Sequence, residues 1–272
     1  RNADATFFGA VSSPPDIVDY KSAIVTLRKE LDLFVNIRPI RSLPIEISRP
    51  NIDIVIMREN TEGMYKGIER EENGVAIAER HISEKASRRL AEFTYKYARD
   101  NKRKRVTIVH KANVLRKTCG LFRRTVLDVS KKYLDIETEE VIVDAMAMRL
   151  IKEPERFDVV ITTNLFGDIL SDEASQLVGG LGISPSGNIG EKTGIFEPVH
   201  GSAPKYAGKD IANPTATFLS AAMMLDFLGE RMEGDRIRDS VFKTFSDGNK
   251  TKDLGGNLGT LAFTEAIINN LK

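Results

Sequence analysis

Apolar runs of strand length alternate along the chain with longer stretches in helical register. IDIVIM (52–57), RVTIVH (105–110), IETEEVIV (136–143) and FDVVITT (157–163) predict strands, and the amphipathic segments between them predict helices. That alternation is the signature of an α/β fold. From Ser83 to about Asp100, residues Ala86, Leu90, Phe93 and Tyr97 recur at spacings of four, three and four, which makes one apolar helical face for a core. VDAMAMRLI continues a strand-like run at 141–144 and sets Asp144 among apolar neighbours. A buried carboxylate is therefore expected there, and burial is tolerated only if a cation or a hydrogen-bond donor meets it.

From Gly179 the texture changes. GGLGISPSGNIGEKTGIFEPVHGSAPKYAG is too rich in Gly, Pro and Ser for regular structure throughout, and long ordered loops are usually functional. NPTATFLSAAMMLDFLGE then predicts a helix with Asn213 as its cap and Pro214 at its first position. The basic run NKRKR (101–105) has no interleaved aromatic residues and reads as a solvated helix end rather than a nucleic-acid patch. There is no internal repeat and no low-complexity tract.

With 272 residues, 41% of them hydrophobic, the chain can bury a substantial core in one large or two modest domains. Forty basic against 39 acidic residues leave a formal charge of +1, so no global field recruits nucleic acid or an anionic membrane. A charged ligand must be held locally. The single cysteine, Cys119, excludes an intramolecular disulfide and fits a reducing, cytoplasmic setting. No apolar run approaches the roughly 20 residues that span a bilayer, and the opening RNADATFFGA lacks the shape of a signal peptide, so a soluble protein is expected.

Candidate chemistry gathers after the predicted strands. NLFGDILSDEASQLVGG places Asp168 and Asp172 four residues apart, so a helix projects both carboxylates from one face, as a solvated pair or as oxygen ligands for a hard cation. Asp144 would add a third carboxylate to the same ion. Lys111, in HKANVL, stands where α/β proteins gather ligands, and a lysine beside a divalent cation can act as a base at neutral pH. Arg58 leaves a strand in MRENTEGMYKG, with Tyr65 seven residues on, while Arg28 and Arg38 lie ten apart in TLRKELDLFVNIRP. Arginine forks bind carboxylates, so the three hint at a small polyanion, although each alone suits an ordinary ion pair. No GxGxxG follows a strand, and His81, His110 and His200 have no partners at zinc-ligand spacing.

Taken together, LRKELDLFVNIRP, RENTEGMYKGIE, HKANVL, DAMAM, NLFGDILSDEAS and EPVHGSAPKYAGKDIANPTA resemble, in order, the β-decarboxylating dehydrogenases of isocitrate, homoisocitrate and 3-isopropylmalate. The family's opening strand and glycine-containing loop have no counterpart, and NADATFFGAVSSP looks like a later strand of its first domain. The resemblance implies an α/β fold without a classical Rossmann motif and two domains flanking a central cleft. Residues 1–34 and 179–272 would form a discontinuous cofactor-binding domain, and 35–178 a central domain carrying the dimer interface. It implies a homodimer, or a tetramer built from such dimers, in which Lys111 and Asp144 complete the neighbour's site. Mg²⁺ or Mn²⁺ would be held by Asp144, Asp168 and Asp172, and Arg28, Arg38 and Arg58 would clamp a malate, with Lys111 as base and Tyr65 as proton donor. Cofactor contacts fall on Asn113, His200, Gly201, Ser202, Ala203, Lys205, Tyr206 and Asn213. Lys205 and Tyr206 resemble the pair of NADP-dependent relatives, while TKDLGG resembles that of NAD-using ones. Ser22 aligns with a serine that meets isocitrate's extra carboxylate, whereas Ile24 and Val25 suit an isopropyl group. The expected reaction is oxidative decarboxylation of a 3-substituted malate, 3-isopropylmalate first, with isocitrate or homoisocitrate as alternatives. A non-catalytic regulatory subunit and an RNA-binding module are the rivals of other classes.

Overall fold

A computed structural model describes residues 3–11 and 22–272. Residues 19–21 of the segment expected to meet the substrate's variable group lie outside them. In chain order the elements are β1 (Ala5–Phe7), α1 (Ala23–Glu30), β2 (Val35–Arg41), β3 (Asp53–Glu59), β4 (Glu69–Glu72), β5 (Val75–Ala78), α2 (Glu84–Asp100), β6 (Arg105–His110), α3 (Thr118–Ser130), β7 (Glu137–Ile142), α4 (Val143–Lys152), β8 (Val159–Thr162), α5 (Asn164–Gln176), β9 (Pro185–Ile189), β10 (Gly194–Pro198), α6 (Thr215–Phe227), α7 (Arg231–Ser246) and α8 (Thr260–Leu271).

Eight strands form one sheet in the order β1-β10-β9-β2-β3-β8-β6-β7, while β4 and β5 make a separate exposed hairpin. The half from β3 to β7 is parallel, and β10, β9, β2 and β3 meet antiparallel. On one face, Ile54, Ile56 and Val160 pack with Met146, Leu170, Phe245 and Phe263 from helices α4, α5, α7 and α8. On the other, Val55, Met57 and Ile161 pack with Leu90, Tyr95, Phe122 and Val126 from α2 and α3. Both faces of the central strands are thus apolar, which is why they read as continuous runs rather than alternations.

The helix expected from Ser83 is α2, and the Ser83 hydroxyl caps it by accepting the Ala86 N–H at 3.1 Å. Helix α6 begins at Thr215, where Asn213 Oδ1 accepts the Thr215 N–H at 3.0 Å, so Pro214 precedes the first turn rather than occupying it. The NKRKR run is tied into ion pairs, Arg103 with Asp53 and Asp158, and Arg105 with Glu137.

Two expectations are corrected. The Gly-rich stretch after Gly179 contains the fully buried antiparallel pair β9–β10. Its glycines make room for a ring, because a Cβ at Gly187 or Gly194 would come within 3.1 Å or 2.8 Å of Phe196. Asp144 is not buried either, since the strand stops at Ile142 and Asp144 falls in the first turn of α4 with its side chain 60% exposed. Among the described residues, no helix is long and apolar enough to cross a membrane.

Candidate active site

Because β3, β8, β6 and β7 run parallel, their carboxyl ends share one rim of the sheet, the edge where ligands gather in such folds. Arg58 is the penultimate residue of β3, Asn164 opens α5 after β8, Lys111 follows β6, and Asp144 follows β7. Arg38 comes from β2, and Arg28 from the last turn of α1.

The centre is Asp168. Arg58, 1% exposed, bonds its carboxylate at 2.5 Å, Arg38 approaches it at 3.2 Å, and the Tyr65 hydroxyl donates to its other oxygen. Arg58 is further held by the Asn164 carbonyl at 3.0 Å and the Asn164 side chain at 2.8 Å, and it lies over the Tyr65 ring. Arg38 also reaches Asp172 at 3.1 Å and Ser171 at 2.5 Å, and its Nε donates to Asn36 at 2.8 Å. Arg28 pairs with Glu197 at 3.4 Å. Asp168 and Asp172 do share a face of α5, since one arginine touches both.

Burial, then repulsion from Arg58, lowers the pKa of Arg38 to about 10, and the same two causes lower that of Arg28. The arginines are thus crowded cations that an anionic ligand would relieve. Burial raises the pKa of Asp168, but Arg58 and Arg38 overcome it and leave the carboxyl below its ordinary value. Burial raises Asp172, and burial with the bond to Asp168 raises Tyr65, so the phenol keeps its proton.

Lys111 stands apart, with its Nζ 2.6 Å from Asp144. The bond from Lys111 lowers the pKa of Asp144. Among the described residues of one chain, no three His, Cys, Asp or Glu side chains are placed to hold a metal, so Asp144 is not brought to Asp168 and Asp172. Topology accounts for this: β6 intervenes between β8 and β7, and each step across a sheet is about 4.8 Å. The pair on α5 nevertheless suits a hard cation, with two oxygen donors on one face, 33% and 51% exposed. Asp144 is turned to solvent, with Lys111 as its partner within the chain.

The expected cofactor residues mostly line an exposed segment. Gly201, Ser202, Ala203, Lys205 and Tyr206 are exposed, and His200 is half-buried, with Nδ1 3.0 Å from the Gly201 carbonyl. Lys205 Nζ lies 4.9 Å from the centre of the Tyr206 ring. Asn213 is buried and donates to Asp253 of TKDLGG at 3.0 Å, which ties these two motifs together. Asn113 is exposed in the turn after β6, and Ser22 precedes α1 without capping it through its side chain.

Residue-by-residue reading missed a buried polar network. Asn188 Oδ1 accepts from Asn36 and Asn60, both at 3.0 Å, and its amide donates to Glu197 at 2.9 Å. Asn164 was within reach of the strand-end rule that singled out Arg58 and Lys111. Asn36 and Asn188 carried no signal, because asparagine ordinarily marks turns.

His110, beside Lys111, is buried. Ala112 N–H donates to its Nδ1 at 3.1 Å, so the ring proton sits on Nε2, facing Glu140 at 3.3 Å. Burial lowers its pKa below 6.5 against the opposing pull of Glu140. The unfolded imidazole therefore takes up a proton near pH 6.5 while the folded one waits for lower pH, so its contribution to stability falls as pH falls through that interval. The urea midpoint of the wild type should drop more between about pH 7.5 and about pH 5.5 than that of His110→Gln, and equal drops would contradict the assignment.

A mixed α/β sheet with clustered cations and acids at its strand ends is suited to holding a small, multiply charged acid. The family described as isocitrate/isopropylmalate dehydrogenase matches residues 1–271, and the chain belongs to that family. It is 50% identical to homoisocitrate dehydrogenase of Methanocaldococcus jannaschii, over 100% of this chain and 82% of that protein. It is 49% identical to 3-isopropylmalate dehydrogenase of Methanothermobacter thermautotrophicus, over 99% of this chain and 81% of that protein. A crystal structure of isocitrate dehydrogenase from Methylococcus capsulatus superposes with a TM-score of 0.95 at 43% identity, covering 98% of this chain and 81% of that one. The chain is thus an oxidative decarboxylating dehydrogenase of a family that uses a divalent metal and NAD(P) on small polycarboxylates.

Proposed function

We propose that the chain catalyses NAD(P)-linked oxidative decarboxylation of a 3-substituted malate, with each active site assembled from two copies. The observation that carries this reading is the convergence of buried Arg38 and Arg58 on Asp168, with buried Arg28, paired to Glu197, close enough to feel the charges of Arg58 and Asp168. Arg58 and Arg38 hold the malate carboxylates and orient C2, which supplies the proximity that free reactants lack. Asp168 and Asp172, with Asp144 of the partner subunit, hold Mg²⁺ or Mn²⁺, which when bound supplies a Lewis acid at the C2 oxygen. Lys111 of the partner subunit takes the hydroxyl proton as hydride leaves C2. The β-keto acid loses CO₂, and Tyr65, kept protonated by burial, donates a proton to the resulting enolate carbon.

The rim beside Lys111 supports the second copy. Val114, Leu115, Met148, Ile151 and Ile169 are exposed apolar side chains on the turn after β6 and on α4 and α5, the elements that carry Lys111, Asp144 and Asp168, and a second copy docked there would cover them. We divide the chain into a cofactor-binding unit, residues 1–34 and 179–272, and a central unit, 35–178, that carries this surface. Lys205 beside Tyr206 offers a cation and a hydroxyl to a 2′-phosphate, which supports NADP. Retention of Tyr65, Lys111 and all three aspartates argues for a catalytic rather than a regulatory subunit.

The test is NAD(P)H absorbance with 3-isopropylmalate, isocitrate, homoisocitrate, D-malate and tartrate, each with both cofactors and Mg²⁺. Turnover of at least one 3-substituted malate, abolished by chelation, is expected. No turnover with any of them would overturn the reading, and salt-sensitive retention of RNA in a filter-binding assay would favour the rival module.

A further inference from the structure

Asn164, Gly167, Asp168, Ser171 and Asp172 follow one another along α5 at helical spacing, so they line a single stripe of that helix. The stripe faces two arginines. Ser171 and Asp172 hold Arg38, while Asn164, Gly167 and Asp168 form a cradle for Arg58. Asp168 takes Arg58 Nη1, and the missing side chain at Gly167 admits the arginine's stem. The other two nitrogens go to Asn164. Its Oδ1 accepts from Nη2 at 2.8 Å and from Nε at 3.1 Å, and its backbone carbonyl accepts from Nε at 3.0 Å.

The orientation of the Asn164 amide is fixed from its other end. Nδ2 donates to the Glu62 carbonyl at 3.1 Å, so a flipped amide would set oxygen against that carbonyl and N–H groups against the guanidinium. Arg58 and Asn164 are each 1% exposed, and a donor of Arg58 left unmet there would bear its full desolvation cost. Glu62 belongs to the turn that leads to Tyr65, and a Cβ at Gly63 in that turn would stand 3.4 Å from Asn164 Cβ. One side chain at the start of α5 thus ties the arginine to the turn that carries the phenol. It is also neutral. A carboxylate in its place would grip the guanidinium more strongly but cancel the charge that Arg58 presents to an anion, whereas an amide fixes the fork and leaves the charge.

We propose that Asn164 is a positioning residue for substrate binding: it holds the fork of Arg58 in place through hydrogen bonds while leaving the arginine's positive charge for a carboxylate of the malate. This rests on the reading above that Arg58 holds a 3-substituted malate. Asn164 acts through Arg58, so its loss weakens the hold on the malate and spares the cofactor.

The test measures kcat and the KM values of the preferred 3-substituted malate and the better cofactor, with Mg²⁺, in the wild type, Asn164→Ala, Asn164→Asp, Arg58→Lys and the double variant Arg58→Lys with Asn164→Ala. Asn164→Ala should raise the malate KM by about tenfold or more and leave the cofactor KM within about twofold of the wild type. Asn164→Asp matches the asparagine in size but neutralises Arg58, so it should also raise the malate KM by about tenfold, and it serves alone if the alanine variant does not fold. Lysine has no fork to hold, so adding Asn164→Ala to Arg58→Lys should change the malate KM by less than about threefold. A malate KM within about threefold of the wild type in a folded Asn164 variant overturns the proposal while the reaction stands. An equal rise in both KM values, or a further tenfold rise in the Arg58→Lys background, does the same, because either marks a general distortion of the fold. No turnover of any 3-substituted malate by the wild type sinks the proposed function, and this assignment with it.

Discussion

Lys111→Ala and Tyr65→Phe variants should each lose roughly 10²- to 10⁴-fold in kcat, the usual scale for acid and base groups, yet, if each site is shared between two copies as proposed, co-expressing the two chains should restore about a quarter of wild-type activity. The recovery follows from placement. Tyr65 sits with Asp168 and the arginines, whereas Lys111 sits with Asp144 on the far side of β6. If Lys111 serves the neighbouring copy, a mixed dimer has one site with both groups intact and one with neither. Random pairing makes half of all dimers mixed, each with one of its two sites working, which gives the quarter. If Lys111 serves its own chain, every site in the mixture lacks a group and activity per site stays at the mean of the two variants. Loss of folding is a poor alternative explanation: the Lys111–Asp144 pair is largely exposed on its acidic side, and such pairs contribute only about 0–1 kcal/mol. Thermal unfolding of Lys111→Ala should therefore stay close to that of the wild type.

The strands of the parallel half were legible because both of their faces are covered, which turns them into unbroken apolar runs. Once those strands were placed, Arg58 and Lys111 became candidates from the rule that ligands gather beyond strand ends, and the Asp168–Asp172 pair from its four-residue spacing on a helix. Arg28 and Arg38 were legible only as residue types. Their convergence depends on the chain reversing between α1 and β2, where Asp32 adopts a positive φ of 46°. The β9–β10 pair was illegible because glycine was read as a loop former, when Gly187 and Gly194 yield space to the Phe196 ring. The asparagine network was hidden for a related reason: Asn36, Asn60 and Asn188 are buried for their hydrogen bonds to one another, and pairing between distant segments leaves no local pattern. Asp144 was misjudged because apolar neighbours in sequence become the inward face of α4, whose turn carries the acid outward.

Gly167→Ala should lower kcat/KM by about 10²-fold or more, mainly through KM, and should destabilise the fold by about 1–3 kcal/mol. Helix propensity alone predicts the opposite sign, because alanine is favoured over glycine inside a helix by about 1 kcal/mol, and Gly167 lies within α5. Contact decides against propensity. A Cβ at position 167 would stand 2.6 Å from Arg58 Cγ and 2.7 Å from Arg58 Cβ, the part of the side chain closest to β3 and least able to swing away. The far end of Arg58 is also held, by Asn164 and Asp168, so the added methyl must push the arginine out of place or push α5 off the sheet. Since α5 carries Asp168 and Asp172, either movement spoils the geometry that binds the malate. Arg58→Gly separates the two effects. In that background both the Cβ and the Cγ that obstruct position 167 are gone, and Gly167→Ala should become stabilising by about 1 kcal/mol, a change of sign measurable by urea denaturation across the four-member cycle. A Gly167→Ala protein that is more stable than the wild type with Arg58 in place would show that the close approach does not govern this position.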